Sequence, residues 1–83
     1  MANLREGTRI MLRYQIPMYD TGMLEYVDAD AGREFIVVKC STVYKPRADH
    51  PLCVVEPDEY EPGADYTQDH MVIEDIDAVA VMK

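Results

Sequence analysis

Residues 20–39 constrain this chain most, because two apolar runs rich in β-branched and aromatic residues flank a polar segment with a glycine. From Gly22 to Asp28 the side chains alternate, with Leu24 and Tyr26 on one side and Met23, Glu25 and Val27 on the other. Asp28-Ala29-Asp30-Ala31-Gly32 then offers aspartates that bond their own backbone and a glycine able to take positive φ. From Arg33 to about Ser41, Phe35 and Val37 share one face while Ile36, Val38 and Cys40 share the other. A short run that is apolar on both faces predicts a central strand, covered on both sides or bent across the core. The expectation is a hairpin that turns at residues 28–32, with the other strands added to it.

Upstream, Thr8 to Ile16 has a period of two: Ile10, Leu12, Tyr14 and Ile16 alternate with Arg9, Met11, Arg13 and Gln15, which predicts a strand with one wet face. Pro17 removes a ladder donor, and Asp20-Thr21-Gly22 is rich in turn formers, so a loop through Met18 and Tyr19 is expected. Leu52 to Glu56 predicts a fourth short strand, after loop chemistry at Lys45–Pro51. Residues 56–69 form a long acidic loop, of the length that tends to be functional or mobile. The end reads as a strand through Ile73, a single 3₁₀ turn at residues 74–77 and a last strand through Val79 and Val81; a helix over 74–82 competes, favoured by Ala78 and Ala80.

At 83 residues the chain makes one domain, 1–83, and buries about 60–65% of its unfolded surface. Its net charge of −8 is uneven. Residues 1–47 carry seven Lys/Arg against six Asp/Glu, and residues 48–83 carry Lys83 alone against ten. That balance argues against a nucleic-acid backbone or an anionic membrane as partner of the second half, since both need a basic footprint. No apolar run approaches the roughly 20 residues of a membrane span and the start lacks a signal-peptide pattern, so a cytoplasmic protein is expected, with Cys40 and Cys53 as separate reduced thiols and one bridge between them as the alternative in an oxidising compartment.

Five short strands with a central hairpin and a one-turn helix before the last strand resemble an SH3-like or Sm-like small β-barrel. Gly22-Met23-Leu24-Glu25-Tyr26-Val27-Asp28 is similar to the Gly-x-Leu-x-x-x-Asp core of the first Sm motif. In strand order the chain also resembles the small Sm-like inhibitors of the transcription terminator Rho, in which an acidic barrel binds a basic protein. The resemblance implies a mainly β, five-stranded barrel and a ring-forming habit. Two departures stand against RNA binding: no Asn follows Asp28, and Ile73-Glu74-Asp75-Ile76 replaces the second motif's Arg-Gly pair.

The acidic-tyrosine loop is the leading candidate site. Glu56, Asp58, Glu59, Glu61, Asp65 and Asp69 can pair with Lys/Arg clusters, and Tyr60 and Tyr66 can stack on guanidinium planes. This predicts a non-enzymatic interaction module that engages a basic protein surface, of the kind found among phage or mobile-element accessory proteins. Met11, Arg13 and Met23, on faces assigned to solvent, are candidates for self-association. A small-molecule or metal-binding barrel with a mouth lined by Tyr14, Tyr26, Tyr44 and His50 is the alternative, and a nucleic-acid-binding oligomer using Arg5, Arg9, Arg13 and Arg33 is a second. Cys40, His50, Cys53 and His70 have zinc-ligand chemistry without zinc-site spacing, and Asp20, Asp28 and Asp30 are explained as turn residues, so no metal or other cofactor is expected. Neither a nucleophile with its base nor a phosphate-binding glycine loop is present, and no enzyme is expected.

Overall fold

A computed structural model describes residues 4–39, 51–64, 66 and 70–82. Seven antiparallel strands form one sheet: β1 (Arg9–Leu12), β2 (Ile16–Asp20), β3 (Glu25–Ala29), β4 (Glu34–Val37), β5 (Leu52–Val55), β6 (Met71–Ile73) and β7 (Val79–Val81). Their order is β3-β2-β6-β5-β4-β1-β7, so among the described residues the sheet does not close and β3 and β7 stand at its ends. This corrects the five-stranded closed barrel. Among the described residues there is no α-helix, and no helix long and apolar enough to cross a membrane.

The extra strands arise because two long strands bend. β1 pairs with β4 from Arg9↔Ile36 to Met11↔Glu34, and β2 pairs with β3 from Ile16↔Ala29 to Asp20↔Glu25. One register runs through both pairings, so residues 9–20 and 25–37 form a single long hairpin folded across its middle. The fold comes where Gly32, at φ +88°, donates to the Leu12 carbonyl while the Leu12 amide donates to the Arg33 carbonyl. Two residues facing one, the first a left-handed glycine, is the arrangement of a G1 bulge, which bends and twists a strand pair. The polar segment expected to turn the hairpin therefore bends it instead.

The hairpin turns at Thr21–Leu24, which takes in the turn formers Thr21 and Gly22 and the start of the stretch expected to be strand. The Leu24 amide bonds the Asp20 carbonyl at 2.8 Å, and Asp20 Oδ1 accepts from the Gly22 and Met23 amides at 2.9 and 3.2 Å. Pro17, expected to end a strand, lies within β2 opposite Asp28. It is tolerated because β2 meets β6 only at Tyr19 and Asp20, which leaves the other side of Pro17 without a ladder to interrupt.

The apolar residues divide between the two faces of the sheet. Ile10, Leu12, Ile16, Met18, Phe35, Val37, Leu52, Val54 and Ile73 fill the inner core, with Ala29, Ala78 and Val79. Val38, Cys53, Val55 and Val72 form a second cluster on the outer face, against which Tyr19, Tyr60 and Tyr66 pack. β5 is thus buried at every position, and β4 with Val38 contributes to both clusters, as expected of a two-faced central strand. Tyr14 leaves the alternation and is exposed, because the chain bends at residues 13–15.

The chain's end folds as the strand, turn and strand expected. A 3₁₀ turn, Ile76–Ala78, separates β6 from β7, and Asp75 caps it through the Asp77 amide at 3.2 Å. Val79, Ala80 and Val81 pair with Leu12, Met11 and Ile10, which excludes the competing helix.

Candidate functional site

The acidic segment after β5 is built onto the sheet by its tyrosines. Pro57–Glu59 forms a 3₁₀ turn, closed by the Glu59 amide on the Glu56 carbonyl at 2.9 Å. The Tyr66 hydroxyl then gathers the segment: it accepts from the Glu61 amide and lies 3.1 Å from the Glu59 carbonyl and 3.2 Å from that of Glu61. Its ring and that of Tyr60 pack on the outer cluster. Tyr60 also runs beside Gly7, where a Cβ would lie 3.3 Å from its hydroxyl. Both tyrosines, expected to face a partner's guanidinium groups, therefore hold the segment down. Glu56, Asp58, Glu59 and Glu61 are the exposed part, while Asp65 and Asp69 lie outside the described residues.

Between this 3₁₀ turn and the β2–β3 turn lies a cleft of about 220 Å³. Asp20, Glu56 and Glu59 supply carboxylates to it, Val55 and Met71 supply its apolar lining, and Gly22 and His70 complete it. His70, the residue sequence reasoning set aside as a zinc-type ligand, is buried here. Its Nδ1 lies 2.8 Å from the Tyr66 carbonyl, and because a carbonyl only accepts, Nδ1 carries the proton. The buried Thr21 fixes the opposite wall, donating to the His70 carbonyl from its hydroxyl at 2.8 Å and from its amide at 3.1 Å. The cleft thus joins three segments, 20–22, 55–59 and 70–71, the first of them 33 or more residues from the others, which no local sequence pattern reports.

Arg33 reaches toward the same end of β5. Its guanidinium is ion-paired with Glu56 and stands 5.0 Å from the Phe35 ring centroid. Arg9 pairs with Glu34 at 2.9 Å. Two of the four arginines considered for nucleic-acid contact are therefore matched by carboxylates of this chain.

The remaining candidates are dispersed. Met11 lies in β1 between Glu34 of β4 and Ala80 of β7, Arg13 is exposed at the bend that follows, and Met23 sits in the β2–β3 turn. Of the expected tyrosine-lined mouth, the Tyr14 hydroxyl donates to Asp75 at 3.2 Å and that of Tyr26 to Glu74 at 2.7 Å, while Tyr44 and His50 lie outside the described residues. The Tyr14 phenol is held above its ordinary pKa, first by desolvation and then by the Asp75 bond and the charges of Asp75 and Asp77, with Arg13 opposing.

Cys53 is disulfide-bonded, which corrects the expectation of separate thiols; the chain's other cysteine, Cys40, lies outside the described residues. Among the described residues no group of three or more His, Cys, Asp or Glu is placed to hold a metal ion. Comparison with protein-family models, with curated proteins and with solved structures finds no match.

Proposed function

We propose that this chain is a non-enzymatic interaction module whose cleft beside the first 3₁₀ turn takes a basic side chain of a partner protein. The observation that carries this reading is the combination of carboxylates at Asp20, Glu56 and Glu59 with an apolar lining from Val55 and Met71. A lysine or arginine has the complementary division, an apolar stem with a cation at its tip. At about 220 Å³ the cleft is smaller than the roughly 300–1,000 Å³ of ordinary small-molecule pockets, which favours a single side chain over a metabolite. Asp58 and Glu61, exposed on the same segment, extend the negative field that would steer a basic surface toward it.

The finer reading, a likeness to SH3-like or Sm-like folds that bind basic proteins, draws on the long bent hairpin and on the 3₁₀ turn before the last strand, without the closed barrel of those folds. Binding of an arginine-rich octapeptide, measured calorimetrically at low and high salt, tests the cleft. Glu59→Gln is expected to weaken it several-fold and to flatten its salt dependence. Unchanged binding in this variant would refute the role of the cleft.

A further inference from the structure

β7 stands at one end of the sheet, and its three residues, Val79–Val81, carry no charge in a chain of net charge −8. Neither a lysine, a proline nor a bulge protects it; its shortness alone does, and that limits how strongly anything can attach. Two bonds that continue the β1–β7 register fix where its backbone groups point: the Arg13 amide to the Ala78 carbonyl at 2.7 Å and the Met82 amide to the Arg9 carbonyl at 2.9 Å. Ala78, Ala80 and Met82 turn theirs toward β1, so Val79 and Val81 turn theirs away. The Val79 amide is engaged at once, bonding the Ile76 carbonyl to close the 3₁₀ turn. The open side therefore offers the Val79 carbonyl and both groups of Val81, none of which meets a strand among the described residues.

The side chains of β7 also stop short of cover. Val81 stands opposite Ile10, which stands opposite Phe35, so a row of the inner core runs outward to a valine that is 54% exposed. On the other face Ala80 stands opposite Met11, one of the residues expected to serve self-association.

We infer that β7 pairs with β7 of a second copy of this chain, antiparallel, about a two-fold axis at Val81. The open groups select that register. The two Val81 residues exchange both amide-to-carbonyl bonds, whereas an axis at Ala80 would set Val81 against Val79, whose amide is already engaged. The same register covers each exposed Val81 with the other and sets Ala80 opposite Met82, which extends the apolar row that Met11 begins. Antiparallel pairing brings the Asp77 end of one strand to the Lys83 end of the other, so opposite charges flank the contact. A basic partner is disfavoured as the occupant, because none of the three residues offers it a carboxylate. A two-fold closes at two copies, so the assembly is a weak dimer and not a ring. The inference does not depend on the cleft.

Sedimentation equilibrium of the full chain between about 10 µM and about 1 mM reads the mass, and hydrogen exchange reads the Val81 amide over the same range. Dimer mass and Val81 protection are expected to rise together with concentration. Both should strengthen with added salt, which screens the repulsion between two acidic chains. Val81→Pro deletes only a donor that faces away from β1, so the bonds of Ala80 and Met82 to β1 stay, and association should weaken at least about tenfold. Val81→Lys keeps the donor and sets like charges directly opposite across the axis, with the same expected loss. Urea unfolding of both variants at the lowest concentration checks that the monomer is intact. Glu59→Gln should leave association unchanged, which separates the edge from the cleft. A monomer at every concentration would overturn the inference, as would a dimer that both substitutions leave intact or a mass beyond two copies. So would Val81 protection that does not vary with concentration, since the chain itself would then cover the edge.

Discussion

Leu24 holds a left-handed backbone, φ +59°, with its side chain in solvent, and both facts weigh against leucine at this position. An L-residue in this region costs about 1–2 kcal/mol, whereas asparagine visits it readily because its short side chain bonds the local backbone. Leucine returns little for that cost. Complete burial of such a side chain is worth about 1.5–3 kcal/mol, so one that is 74% exposed retains only about 0.5 kcal/mol of it. Leu24→Asn should therefore stabilise the protein by about 1 kcal/mol, or roughly 4–8 °C in thermal midpoint for a domain of this size. Leu24→Gly relieves the same strain but loses about 0.5–1 kcal/mol to the freedom of glycine in the unfolded chain, so it should fall between asparagine and leucine. Urea unfolding of the three proteins, with the slopes compared for two-state behaviour, gives the ranking. Destabilisation by Leu24→Asn would refute the reasoning, because it would mean that the leucine side chain is packed in the native protein. Strain of this kind persists where function requires it, so the ranking also bears on the apolar tip beside β3.

Gly32→Ala should destabilise by about 1–2 kcal/mol through backbone strain alone, since an added Cβ meets nothing within 4 Å; equal or greater stability in urea would remove the bulge as the source of the bend. Tyr14→Phe should alter the pH dependence of stability only on the alkaline side. The folded phenol titrates above the unfolded value of about 10, so its contribution is fully present below that pH and is lost as pH rises through the folded pKa. Phenolate absorbance titration of both proteins should show the substitution removing a late-titrating group, and a loss from the early-titrating groups would contradict the Asp75 contact.

The sequence made the inner core legible because period two survives in β1 and β4: Ile10, Leu12, Phe35 and Val37 are all buried as the alternation demands. It misplaced the hairpin turn for a physical reason. Asp and Gly favour a bend and a bulge as much as a reversal, and Asp28-Ala29-Asp30-Ala31-Gly32 is used for the former. The true turn carries Met23 and Leu24, whose apolar side chains suggest strand when tip exposure is not known. In the acidic segment the rings of Tyr60 and Tyr66 pack on the outer face, against a second apolar cluster that only the register assembles. His70 shows the same gap: its burial follows from Thr21, 49 residues away, and a spacing rule has no access to that contact.

Asp20 serves both the hairpin turn and the cleft, and that determines which residues can test the cleft. Its backbone closes the turn through Leu24, its carboxylate holds the Gly22 and Met23 amides, and it lines the cleft while facing Glu25 of β3 and Met71 of β6. Removing that carboxylate would lose a turn cap worth about 1 kcal/mol together with a cleft charge, so weaker binding would not identify the cause. Glu59 lines the cleft from the other wall, and Asp28 lies in β3 away from the turn. A cation that depends on Glu59 but not on Asp28 occupies the cleft, whereas equal dependence on both would mark a response to the net negative field of the chain and refute the cleft as its site.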